Sequence, residues 1–190
     1  MAHWFLANSF FKYNQFDSAV EHITIANILN RNNQFILEDM KFIYRKSNKD
    51  FNEWKFSPQC EFYRAKDSSE YYIATDTNWF IYGLAKAAWN FEPGYIYTLK
   101  INSDPKGVNQ DFECLYLLAD YLKEKSKNSL KMYDDFPDLK KLLEASKNNY
   151  RDEYIMYDVV LPRLPGMIYM MSPSSINAVK SYVTKIRYND

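Results

Sequence analysis

Glycine scarcity sets the first limit on this chain. Gly83, Gly94, Gly107 and Gly166 are the only four among 190 residues. Turns that cradle a phosphate need closely spaced glycines, because a Cβ would keep the backbone from approaching the anion. The P-loop, the GxGxxG dinucleotide-binding turn and the kinase glycine loop are therefore excluded. Charge excludes another group. Lys plus Arg number 24 and Asp plus Glu number 24, whereas proteins that bind by neutralising phosphates carry a basic surplus. A local basic cluster (Lys41, Arg45, Lys46, Lys49, Lys55, Arg64, Lys66) with aromatics nearby leaves single-strand stacking as the form a nucleic-acid partner would take, and overall neutrality argues against it.

Histidine and cysteine are equally sparse. Cys60 and Cys114 stand far apart with no CxxC and no histidine cluster, so a zinc site built on them lacks ligands and no metal is expected. No disulfide framework is visible, which points to a reducing compartment. His3 and His22 both fall in a stretch that reads as helix, where packed or surface roles come before catalysis. No segment approaches the roughly 18 apolar residues that span a bilayer. The apolar start lacks a basic region and is broken by Asn8 and Ser9, so no signal peptide is read and a cytoplasmic location without a membrane partner is expected.

Periodicity predicts helices over 3–13 and 17–30, joined at Tyr13-Asn14-Gln15-Phe16. The pair resembles one tetratricopeptide repeat, with Ala7, Phe10, Ala19, Ile23 and Ala26 at its small and large positions. No second copy follows, and a helical hairpin packed on the rest of the domain explains the same pattern. A third helix is predicted over 34–47, with Phe35, Ile36, Met40, Ile43 and Tyr44 as its apolar stripe. The texture changes near Cys60. Strands are predicted at 61–65, 71–75, 95–101, 154–161 and 167–171, from their β-branched and aromatic content. Helices are predicted at 79–89, 113–127 and 137–149, and a final helix or strand after Ser172. Unordered mixing of strands and helices predicts an α+β fold with small mixed or antiparallel sheets. It divides into a helical segment 1–56 and an α+β segment 57–190, together forming one compact unit.

Three pieces in order carry a resemblance: Phe62-Tyr63-Arg64-Ala65-Lys66-Asp67-Ser68, then Tyr71-Tyr72-Ile73-Ala74-Thr75-Asp76-Thr77 followed by Tyr95-Ile96-Tyr97-Thr98-Leu99, then Tyr150-Arg151-Asp152-Glu153-Tyr154. This order resembles the mono-ADP-ribosyltransferases, both the bacterial toxin branch and the rifamycin-modifying branch. The likeness covers residues 61–112 and, more loosely, 150–161. Where the toxin branch has Ser-Thr-Ser, this chain reads Ala74-Thr75-Asp76, and Arg151 stands where a second glutamate would precede Glu153. The resemblance implies an ADP-ribosyltransferase-like fold and transfer of ADP-ribose from NAD to a protein, nucleic acid or small-molecule acceptor, or hydrolysis of NAD, with release of nicotinamide, in the manner of a toxin or effector enzyme. NAD is then a substrate and no metal is required.

The chemistry gives each residue a role under that resemblance. Cleavage at the ribose passes through an oxocarbenium-like transition state, which a carboxylate (Glu153) stabilises. A guanidinium (Arg64) forks onto the diphosphate or ribose. An aromatic ring (Tyr72 or Tyr71) stacks on nicotinamide. A hydroxyl (Thr75) orients the charged pair, and Tyr63 and Thr77 flank the cofactor. A second reading needs no enzyme. The N-terminal hairpin, with Trp4 and Phe10, would present aromatics to a protein partner, since such side chains are favoured in interface cores.

Overall fold

The computed structural model describes residues 1–64, 71–92, 94–100, 104, 106–127 and 130–188. In chain order the elements are α1 (Ala2–Lys12), α2 (Phe16–Leu29), α3 (Gln34–Lys46), β1 (Cys60–Arg64), β2 (Tyr71–Thr75), α4 (Phe80–Phe91), α5 (Tyr95–Thr98) and α6 (Val108–Ser126). They continue as a 3₁₀ turn (Leu130–Tyr133), α7 (Pro137–Lys147), α8 (Arg151–Tyr154), a π-helical stretch (Ile155–Val160), α9 (Leu161–Arg163), a 3₁₀ stretch (Pro165–Met170), α10 (Pro173–Tyr182) and a second π-helical stretch (Val183–Arg187). The chain is α+β in the coarse sense, mostly helical with a two-stranded antiparallel sheet. No described helix is long and apolar enough to cross a membrane. Two units form, one from 1–55 with 144–190 and the other from 56–143.

In the first unit α1 and α2 make an antiparallel hairpin through a short turn in which Asn14 takes a positive φ of 57°. Small buried residues, Ala7, Ala19 and Ala26, allow the close approach, and Ile23 and Ile28 fill the space beside them. Asn33 starts α3, its side-chain oxygen accepting from the backbone N–H groups of Phe35 (3.0 Å) and Ile36 (3.2 Å). Ile36, Met40, Ile43 and Tyr44 then point inward at helical spacing. Ser172 caps α10 through the Ser175 N–H at 3.1 Å, with Pro173 in the first helical turn. Tyr154, Ile155, Tyr157, Val160, Tyr182 and Val183 complete this core.

In the second unit the β1–β2 hairpin lies on α4. Gly83 of α4 permits the contact, since a Cβ there would stand 2.9 Å from Cys60 Sγ and 3.1 Å from Ile73 Cγ2. Trp79, Leu115, Leu118, Leu122, Leu139 and Leu142 are buried. Asp104 accepts from the N–H groups of Val108 (2.9 Å) and Gln110 (2.7 Å), so its carboxylate caps α6.

Three predicted strands are helical instead. Residues 95–98 form α5, entered through Gly94 at φ 82°, while 101 lies outside the described residues. The Tyr95 hydroxyl donates to Glu113 at 2.7 Å and its ring lies against Trp89, so side-chain partners override strand propensity. Residues 154–161 run from α8 through the π-helical stretch into α9, and 167–170 lie in a 3₁₀ stretch. Nearly every side chain from Tyr154 to Leu161 is buried, and a helix buried all round reads in sequence like a buried strand. The strands at Cys60–Arg64 and Tyr71–Thr75 and the helices beginning at 80 and 137 lie close to where the sequence puts them, the helix expected from 113 begins earlier at Val108, and 65 lies outside the described residues.

Candidate functional site

Register builds the first candidate. In the hairpin Tyr63 opposes Tyr72, Arg64 opposes Tyr71, and Cys60 opposes Thr75. Tyr63 and Tyr72 are exposed, and the Tyr63 hydroxyl donates to Glu61 on the same strand face. Thr75 is three residues from Tyr72, which puts it on the opposite strand face, where Cys60, Ile73 and Thr75 approach Gly83. The Thr75 hydroxyl donates to the Asp76 carbonyl at 3.0 Å. Thr75 lies four positions along from Tyr71, the partner of Arg64, which is about 13 Å along a strand. Thr77 is exposed in the turn before α4. Tyr63, Arg64, Tyr71, Tyr72 and Thr75 thus share one hairpin, with Thr75 at the end away from Arg64 and Thr77 in the turn beyond it.

Glu153 stands on α8, within the unit formed by 1–55 and 144–190, whereas the hairpin belongs to 56–143. Its carboxyl is half-buried, and burial raises its pKa above the ordinary glutamate value, with the neighbouring Asp152 charge adding to the rise.

The cysteines offer no activated thiol. Burial raises the Cys60 thiol, and burial pushes Cys114 up to about 12. No group of three or more His, Cys, Asp or Glu positioned to hold a metal occurs among the described residues. Glu113 accepts from both Trp89 Nε1 and the Tyr95 hydroxyl, and Lys86 bridges Gln110 and Asp111 at 3.0 Å each. These polar groups of the second unit are engaged with one another.

The second candidate is a surface. Trp4 Nε1 donates to Asp39 at 2.6 Å, Asn8 donates to the same carboxylate oxygen at 3.2 Å, and the Phe11 ring lies 5.3 Å from that of Phe42. Both helices advance in the same sense through these contacts, so α1 and α3 lie side by side and roughly parallel. Trp4 and Phe10, the aromatics singled out in the sequence, are half-buried supports, Trp4 on Asp39 and Phe10 stacked on His22 with centroids 5.2 Å apart. The exposed rings are others. Phe5 is 64% exposed on α1, and Phe35 (76%) and Phe42 (50%) are exposed on α3. Phe35 is therefore not part of the inward stripe. It stands one residue, about 100°, before Ile36, which turns it out of the core. Its signal in the sequence was the seven-residue spacing to Phe42, which marks a shared helix face.

No family model, curated protein or solved structure matches this chain. The assignment of a task therefore rests on these two arrangements alone.

Proposed function

We propose that this chain is a protein-interaction module whose contact surface is the seam between α1 and α3. The carrying observation is that Phe5, Phe35 and Phe42 stay exposed beside a seam already fixed by the Trp4–Asp39 hydrogen bond and the Phe11–Phe42 contact. Large apolar rings gathered on a rigid helical platform and left in water mark a binding surface, because covering them releases the free energy that folding left unused. The test is chemical cross-linking in the native cell extract, comparing the wild type with Phe35→Ser/Phe42→Ser. The reading expects a discrete cross-linked species that the variant loses while keeping its far-UV circular dichroism. An unchanged pattern counts against it.

A second reading, NAD-dependent ADP-ribose transfer on an ADP-ribosyltransferase-like fold, is supported by one observation. The exposed Tyr63 and Tyr72 are cross-strand partners on one face of the hairpin, which is an arrangement suited to gripping a flat ring. It needs Glu153 as the carboxylate. Nicotinamide release from NAD, abolished by Glu153→Gln, is its test, and absence of release from the wild type removes it.

A further inference from the structure

The seam has a charge direction as well as an apolar one. Phe35, Asp39, Phe42 and Lys46 fall on one face of α3 at i, i+4, i+7 and i+11. The Lys46 ammonium sits 5.9 Å from the centre of the Phe42 ring. On α1, Phe5 and Lys12 share a face at i and i+7. Because the two helices are roughly parallel, Lys12 and Lys46, each in the last turn of its helix, stand at the same end of the seam. Neither has a carboxylate within salt-bridge distance among the described residues. Their neighbours do: Lys41 and Arg45 both pair with Glu53. Toward the other end the acids are Glu38, exposed on α3, and Asp39, whose Oδ2 is taken by Trp4 and Asn8.

We infer that, if the seam is the contact surface proposed above, its occupant is an amphipathic peptide helix with apolar anchors about two turns apart and carboxylates one turn beyond one of them. Phe35 and Phe42 are separated by about 10 Å along the α3 axis, and Lys46 lies about 6 Å further. A facing helix meets that spacing with apolar side chains at i and i+7 and acidic ones at i+10 or i+11. The carboxylates then pair with two cations that no carboxylate neutralises among the described residues, while the anchors cover the rings. An anionic lipid surface fits less well, since a membrane-lying helix carries basic residues along its polar rim. Here Glu38 and Asp39 occupy the first half of the seam.

The test selects a random 16-residue peptide library, displayed on phage, against the full chain and against two variants. One is Phe35→Ser/Phe42→Ser and the other is Lys12→Glu/Lys46→Glu. All four positions are exposed, so folding of each variant is checkable by circular dichroism and expected to be intact. Peptides enriched on the wild type should carry apolar residues seven apart and Asp or Glu toward one end. The aromatic variant should lose them, and the charge variant should bind the same peptides at least 10-fold more weakly and enrich Lys or Arg at the acidic positions instead. Apolar peptides without an acidic bias would overturn the charge inference while leaving the interaction reading standing. No enrichment over the aromatic variant would overturn both. Concentration-dependent self-association abolished by Phe35→Ser/Phe42→Ser would make a second copy the occupant, and tighter binding to phosphatidylserine vesicles than to any selected peptide would make it a membrane. Either result overturns the inference.

Discussion

Arg187 donates its Nε to Asp158 Oδ1 at 2.8 Å, and both side chains are sealed from solvent. The same guanidinium donates to the carbonyls of Asn52 (3.0 Å) and Trp54 (2.9 Å) and lies 3.8 Å over the Trp54 ring. Asp158 also accepts from the Tyr182 hydroxyl at 2.7 Å. One buried cation thereby ties the second π-helical stretch to the first and to the irregular segment after α3. Burial opposes the charge of Arg187, but Asp158 and the Tyr188 and Tyr182 phenols overcome it and raise its pKa.

Stranding one member of a buried pair costs about 3–5 kcal/mol, and without Arg187 the Asp158 carboxylate keeps only the longer ion pair to Arg31 at 3.9 Å. Arg187→Met is therefore expected to destabilise the first unit by up to that amount in urea unfolding. Adding Asp158→Leu to it should not recover the loss, because Arg31 and the Tyr182 hydroxyl would then lose Asp158 as a partner too. A loss under about 1 kcal/mol for Arg187→Met would mean that the pair is solvated in solution.

This pair illustrates what the sequence conceals. Asp158 and Arg187 are separated by 29 positions, and nothing local marks either as the other's partner. The run Ile155-Met156-Tyr157-Asp158-Val159-Val160 looks like a strand because burial on every side erases the helical period. By contrast α3 was legible, since Asn33 offers a cap and Ile36, Met40 and Ile43 recur at helical spacing. The hairpin was legible from Tyr71-Tyr72-Ile73, and its partner strand from Phe62-Tyr63. The seam was half legible. Trp4 and Phe10 drew attention as aromatics, but whether a ring supports or faces outward depends on helix phase and on distant residues such as Asp39.

Gly83 tests the hairpin's seat on α4. Replacing glycine by alanine inside a helix ordinarily stabilises by about 1 kcal/mol. Here the new methyl would meet Cys60 Sγ at 2.9 Å and Ile73 Cγ2 at 3.1 Å, and overpacking costs about 1–3 kcal/mol. The net expectation for Gly83→Ala is a loss of up to about 2 kcal/mol in chemical denaturation. In a Cys60→Ala background the loss should shrink or reverse. A stabilising Gly83→Ala in the wild type would show that the strand does not seat this closely.

Asn33 links stability to the proposed surface. Its side chain holds the N–H of Phe35, so the cap also fixes the first turn that displays this exposed ring. Asn33→Ala is expected to cost about 0.5–2 kcal/mol. Peptides selected on the seam should bind more weakly to it than to the wild type, and Asn33→Asp should restore both. Weakened stability with unchanged peptide affinity would place the binding determinants away from the start of α3.

His3 and His22 give the α1–α2 hairpin a pH dependence. Their Nδ1 atoms lie 2.8 Å apart, so one ring donates to the other and both cannot be charged in that geometry. Burial, then the His22 charge and the terminal amino group, lower the His3 pKa below its ordinary 6.5, with Lys180 of α10 acting in the same direction and Glu21 opposing. A histidine whose folded pKa is lowered binds fewer protons folded than unfolded. Its contribution to stability is therefore complete above about pH 6.5, falls as the pH drops below that value, and levels off beneath the folded pKa. The raised Asp138 and Glu153 carboxyls slope the opposite way in the acidic range above their ordinary values, so the histidine effect is read as a difference. Between pH 7.5 and 5.5 the urea midpoint of the wild type should fall more than that of His3→Gln, which keeps a donor beside His22 without titrating. Parallel curves for the two proteins would mean that the rings do not share a proton.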